Sequence, residues 1–230
     1  REYVAQLFEY DKKFLIIGNI NAITYKEIFP KIMSNRMWLG PSISSGDREF
    51  EVPKGFVDLK KFTGEIRDGK YYQKVMGVRW YTSLDHGKRH QKLQLMTMAE
   101  NRKFNKKVID SDVCYKKYDN YDAIEVSFTD AIPSDYAGVM GVPISFLDKY
   151  SPDQFEILGA TESEGKGFSN GLWDEKSRVS QPVIERERES IRESLSAIRI
   201  PNQEKYDRPY VEGKRLYFRI LIKRRKGAEK

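Results

Sequence analysis

The sequence holds one cysteine, Cys114, and two histidines, His86 and His90. A single thiol excludes an intramolecular disulfide, and so few soft ligands exclude a cysteine-rich zinc site; a reducing cytoplasm is the expected compartment. The two histidines stand four apart, but they lie in Asp85-His-Gly-Lys-Arg-His90, where glycine and cations favour a turn and oppose metal binding. No metal is expected. No apolar run approaches the roughly 20 residues of a membrane helix, no signal peptide opens the chain, and no internal repeat is visible. The apolar face Val4, Leu7 and Phe8 follows neither an initiator methionine nor an N-capping residue. The chain is therefore expected to begin inside a larger protein.

What is present is enough for a core. The 230 residues are 39% hydrophobic and 13% aromatic, which opposes disorder throughout, while 33% charged residues imply a wet exterior. Lys and Arg number 41 against 34 Asp and Glu, a net charge of +7 that favours a polyanionic partner. Charge of this size does not specify nucleic acid, so motifs must decide.

The run Phe14-Leu-Ile-Ile17, closed by Gly18-Asn19, predicts a strand buried on both faces, as in a parallel sheet. Thr24-Tyr-Lys-Glu27 fits a capping box for a helix that Pro30 kinks or restarts, with Ile28, Phe29, Ile32 and Met33 on its core face. Helix, strand and helix in succession predict an α/β architecture. Glu49 to Val52 and Val75 to Leu84 read as neighbouring strands of the same sheet, and Leu93 to Met98 as another short strand. From about residue 105 lysines interleave with tyrosines and no long helical period is visible, so a second region is expected there. Ser151-Pro-Asp-Gln154 predicts a short turn before the strand Phe155 to Leu158. Ile184 to Ile198 reads as a solvated helix or mobile segment. Leu216 to Ile222 predicts a final strand, and Lys223-Arg-Arg-Lys226 a basic tail that either touches phosphate or keeps the terminus soluble.

Four segments, Phe14 to Pro30, Met37-Trp-Leu-Gly40, Arg79-Trp-Tyr-Thr-Ser-Leu84 and Gly141-Val-Pro-Ile-Ser-Phe-Leu-Asp-Lys-Tyr150, resemble in order and spacing the EcoRI-type adenine-specific DNA methyltransferases. The resemblance runs from Arg1 to about Gly159. It implies a class I, S-adenosylmethionine-dependent enzyme that methylates N6 of adenine in duplex DNA. The implied fold is a partial Rossmann-like mixed sheet over residues 1–104, with an antiparallel strand near one edge. An additional α+β recognition region is expected over 105–230. The family's cofactor loop and its Asn-Pro-Pro-Phe-type tetrapeptide occur nowhere in the chain and are expected upstream of Arg1, so no catalytic residue is assigned here. Gly165-Lys-Gly167 does not replace the loop, because it follows a polar stretch where a buried strand is needed.

A duplex base must leave the stack to be methylated, and aromatics at a strand end can hold it. The resemblance places that platform at Trp80 and Tyr81, although successive strand residues point oppositely and core packing explains at least one of them. Gly18, Asn19 and Asn21, at the exit of the first strand, are candidates for the cofactor or target pocket, with turn formation as the alternative. Lys88, Arg89, Lys106, Lys107, Lys116 and Lys117 are candidate DNA contacts. A noncatalytic DNA-binding or interaction module is the competing function.

Overall fold

The computed structural model describes residues 2–41, 48–57, 62, 64–161, 208–225 and 227. It is a mixed α/β chain with several sheets, divided into two compact units, Arg1–Gly87 and Lys88–Lys230. The segments 165–167 and 184–198 read above lie outside the described residues.

In the first unit, helix α1 (Glu2–Glu9) buries Val4 and is followed by strand β1 (Leu15–Asn19). Phe8 meets Phe14 edge to face, with ring centroids 5.5 Å apart, which ties the helix to the strand's entry. β1 is not doubly buried. It pairs antiparallel with β6 (Val78–Thr82), and Leu15 and Ile17 are each 53% exposed. A four-residue apolar run does not distinguish a doubly covered strand from one whose second face is open, and here the pairing makes the distinction. β2 (Trp38–Leu39) pairs antiparallel with the other edge of β6. The order is β1-β6-β2, so β1 and β2 run parallel to each other with an antiparallel strand between them.

Between β1 and β2 the expected capping box at Thr24 does not form. The Thr24 hydroxyl instead donates to the Asn21 carbonyl within the 3-10 turn Ile20–Thr24. The helix, α2 (Phe29–Met33), begins one residue before the proline, which occupies a first-turn position where its missing N–H costs nothing. Ile28, Phe29 and Ile32 are buried there.

The segment 75–84 is not one strand. Gly77, at φ 68°, takes a left-handed conformation that ends β5 (Lys70–Val75) before β6 starts. β3 (Arg48–Val52) pairs with β5, and β5 with β4 (Glu65–Arg67), in a separate three-stranded antiparallel sheet of order β3-β5-β4. The strands read as neighbours in one sheet therefore belong to two.

In the second unit, residues 93–98 do not form a strand. The Gln154 side chain takes the place of a strand partner: its Oε1 accepts from Leu93 N at 2.7 Å and its Nε2 donates to Leu93 O at 2.9 Å. A capping box between Thr97 and Glu100 then starts α3 (Met98–Phe104). Asn105 ends α3 and caps α4 (Lys106–Ile109). The sheet has the order β7-β8-β12-β9, from β7 (Ile124–Glu125), β8 (Met140–Val142), β9 (Phe155–Ala160) and β12 (Ile220–Arg224). β7 and β8 are parallel, and the other pairs antiparallel. β12 begins later than the apolar run predicted and extends into its basic end. The hairpin of β10 (Tyr210–Val211) and β11 (Lys214–Arg215) turns through Glu212 at φ 51° and Gly213 at φ 73°, paired left-handed residues that match strand twist. Asp119 accepts from both turn amides, at 3.1 Å from Glu212 and 2.7 Å from Gly213.

Under this hairpin Tyr118, Tyr121, Ala123, Val211 and Leu221 form one buried cluster. A second group packs Phe146 against Phe155 and Tyr150, with centroids 5.4 and 5.6 Å apart. No helix among the described residues is long and apolar enough to cross a membrane.

Candidate functional site

The register of β1 and β6 fixes the two aromatic candidates on opposite faces. Trp80 lies opposite Ile17, and Tyr81 opposite Ile16; directly opposed residues share a face, and neighbours in a strand do not.

Tyr81 is buried and its hydroxyl donates to the Asn19 carbonyl at 2.8 Å. Its ring also occupies the space where Gly18 lacks a side chain: a Cβ there would sit 3.0 Å from Tyr81 Cε2. Glycine at position 18 is thus explained by the tyrosine beside it, and the tyrosine by the strand end it fastens. Trp80 is only half-buried and shares its face with the exposed Leu15 and Ile17. Gly40 donates its N–H to the Trp80 carbonyl at 2.9 Å, and a Cβ at position 40 would meet Trp80 Cβ at 2.8 Å. Trp38, opposite Thr82 on this same face, donates its indole N–H to the Leu84 carbonyl at 2.8 Å. The sheet therefore presents a half-open apolar face carrying two indoles.

Asn19 and Asn21 serve the local chain. Asn19 Oδ1 accepts from Asn21 N at 2.9 Å and caps the 3-10 turn, while Asn19 Nδ2 donates to Met76 O at 3.4 Å. With Gly18 filled by Tyr81 and the Asn19 amide spent on the cap, these residues do not by themselves fit a nucleoside cofactor.

The six cations differ in burial and in pairing. Arg89 is buried, with 6% exposure, and so is withdrawn from a phosphate-binding role by its own packing. Lys107 pairs with Asp130 at 2.7 Å, Lys116 with Glu212 at 2.8 Å and Lys117 with Asp122 at 2.8 Å. Exposed pairs of this kind are weak and screened by salt, so a phosphate can exchange for the carboxylate. Lys106 is exposed at the start of α4, and Lys88 is half-buried. Of the two histidines, His86 Nε2 lies 2.9 Å from Leu39 O and His90 Nδ1 2.9 Å from Asp153 Oδ2. Among the described residues no cluster of His, Cys, Asp or Glu is placed to hold a metal ion.

Sequence reasoning missed one polar cluster entirely. Glu125, fully buried on β7, accepts from Arg219 Nε at 3.0 and 3.1 Å, Arg219 Nη2 at 2.9 Å and Ser127 Oγ at 2.9 Å, and from the Tyr118 hydroxyl. Burial, and after it the Glu125 charge, holds the Tyr118 hydroxyl well above its ordinary pKa. The signal was available: Glu125 and Arg219 each interrupt an apolar run, Ala123 to Val126 and Leu216 to Ile222. A charge inside such a run is either a break in the element or half of a buried pair.

The family model described as the adenine-specific methyltransferase EcoRI matches residues 1–225. The Type II methyltransferase M.EcoRI of Escherichia coli is 44% identical over 161 residues, which cover 69% of this chain and 46% of that protein. The Type II methyltransferase M.MpnI of Mycoplasma pneumoniae is 35% identical over 160 residues, covering 69% of this chain and 47% of its own length. M.MgeORF184P of Mycoplasma genitalium, also a Type II methyltransferase, is 32% identical over a stretch of the same size. The chain spans about half the length of the curated relatives it matches. No solved structure matches it.

Proposed function

We propose, from the premise that this chain belongs to the EcoRI-type adenine-specific methyltransferase family, that the whole protein transfers a methyl group from S-adenosylmethionine to N6 of adenine in duplex DNA. The observation that carries the proposal is the family match across residues 1–225. It acts in the cytoplasm. Residues 1–104 hold the C-terminal part of the catalytic sheet, in β1-β6-β2, and 105–230 the recognition region with its closing strand at β12.

The strand order supports a Rossmann-like mixed sheet: two parallel strands flank the antiparallel β6. Among the described residues β1 pairs on one side only, which leaves its other edge open to a further strand. The sheet continues at that edge, into the portion of the family's length that the chain does not span. The cofactor loop and the Asn-Pro-Pro-Phe-type tetrapeptide belong to that portion, consistent with the lack of a nucleoside cradle at Gly18, Asn19 and Asn21. These three residues shape the pocket rim.

Trp80 is the base platform. Its half-open indole offers a large flat surface to an everted adenine, and stacking of this kind returns about 1–3 kcal/mol per base. Tyr81 acts from behind, by holding the end of β1. Lys88, Lys106, Lys107, Lys116 and Lys117 contact phosphates.

The whole protein, given methyl-labelled S-adenosylmethionine and genomic DNA from a methylation-free host, should place label in N6-methyladenine. Recovery of no labelled base would overturn the assignment. Trp80→Ala should lower the methylation rate about tenfold or more while cofactor affinity stays unchanged. Tyr81→Phe should keep most of the activity, and full activity in Trp80→Ala would remove the platform.

A further inference from the structure

The turn between α3 and α4 is built as a rigid projection, and its tip is chemically unusual. Asn105 N–H donates to Asn101 O at 3.0 Å to close α3, while Asn105 Oδ1 accepts from Lys107 N at 3.2 Å to open α4. Asn105 Nδ2 donates to the side chain of Asn101 at 3.3 Å; Asn101 is fully buried and in turn donates to Met96 O and Thr97 O. Val108 anchors the second helix in the core. The direction change is thus fixed before any partner arrives, and little ordering entropy remains to be lost on binding.

This frame holds Phe104 out, 65% exposed, at the last position of α3. Four cations surround it in six residues, Arg102, Lys103, Lys106 and Lys107. Two of them lean back over rings of the same unit, Arg102 over Tyr115 at 5.8 Å and Lys107 over Phe128 at 5.8 Å. Lys103 and Lys106 flank Phe104 in sequence and are exposed, and Lys103 Nζ lies over its ring, 5.0 Å from the centroid. Apart from the Lys103 ammonium over it, a ring this exposed in a rigid turn buries little apolar surface within the unit. An apolar protein surface would have to bury the flanking ammonium groups without partners, whereas a duplex groove offers an apolar wall between two rows of phosphate.

We propose that Phe104 enters a groove of duplex DNA and that Lys103 and Lys106 contact the phosphates on either side of it. The inference rests on the DNA methyltransferase reading above, and it adds an apolar groove contact and a new phosphate contact, Lys103, to that reading. Phe104 confers affinity that salt does not erode, and the lysines confer affinity that it does.

Equilibrium binding of the whole protein to a duplex, measured across a salt series, separates these contributions. Lys103→Ala and Lys106→Ala should each reduce the slope of log affinity against log salt by about 0.9. Phe104→Ala should weaken binding about tenfold at every salt concentration and leave the slope unchanged. Binding by Phe104→Ala within twofold of the unaltered protein would overturn the inference. So would unchanged affinity combined with a lower melting temperature of the DNA-free variant, which would mean that protein covers the ring. If the unaltered protein itself fails to bind duplex, the proposed function fails with it; normal binding with insensitive variants rejects this inference alone.

Discussion

Glu125→Leu should cost the second unit about 3–5 kcal/mol of stability, the largest loss expected from any single substitution at a polar residue among the described residues. The pair it breaks is deeply placed: Glu125 is fully buried and the Arg219 side chain only 12% exposed. The carboxylate accepts from three side chains, so removing it strips the buried guanidinium of its counter-charge, leaving it only the Tyr217 and Phe218 carbonyls, and takes the main acceptor from the Tyr118 and Ser127 hydroxyls. The pair as a whole need not add stability, because desolvation of both charges offsets their attraction. Glu125→Leu combined with Arg219→Met should therefore recover most of the loss. Amide hydrogen exchange at β7, β8 and β12 reads the effect within one unit, which a global melt of a two-unit chain does not. A double variant as unstable as the single one would show that the lost pairing is not the cause.

The same cluster sets an alkaline limit. Burial raises the Tyr118 pKa in the folded state, whereas an unfolded tyrosine ionises near pH 10. A raised folded pKa contributes stability that is whole below the unfolded value and declines as pH rises beyond it. Tyr115 and Tyr150, raised first by burial, act in the same direction. Stability should fall above about pH 10, and Tyr118→Phe should make the fall shallower.

Phe146→Ala should cost about 3–5 kcal/mol, from lost transfer free energy and the void left between two rings. Phe146 is fully buried, edge-on to Phe155 at 5.4 Å and tilted on Tyr150 at 5.6 Å. Phe146→Leu, which fills part of the space, should lose clearly less. Equal losses in the two variants, measured by exchange at β9, would mean that the site collapses around either side chain and that cavity volume does not govern the cost.

Phe146 also shows how differently family and fold could be read from the chain. Gly141 to Tyr150 carries the family resemblance, yet in the structure Val142, Phe146, Leu147 and Tyr150 are core residues. A Cβ at Gly141 would collide with the Tyr118 hydroxyl, so that glycine too is a packing requirement. The resemblance was legible because packing constrains long segments in order. Local structure was less so. The division of 75–84 depends on the left-handed Gly77, and Leu93 is paired by a side chain 61 residues away, Gln154. Neither leaves a periodic trace. At the site, alternation along β6 was enough to separate Trp80 from Tyr81, but which ring would be buried depended on Gly18 across the sheet.

β12 joins β8 to β9, and it is the last of the described strands to be synthesised. At a translation rate of about 5–20 residues per second, β9 waits several seconds after its own emergence for the strand that will separate it from β8. During that interval two sheet edges stand open beside largely apolar strands, the condition under which nascent chains pair wrongly with their neighbours. The demand this places on the cell is for a chaperone in the interval between β9 and β12, and a stop codon that removed only Ile220 onward would leave that demand permanent.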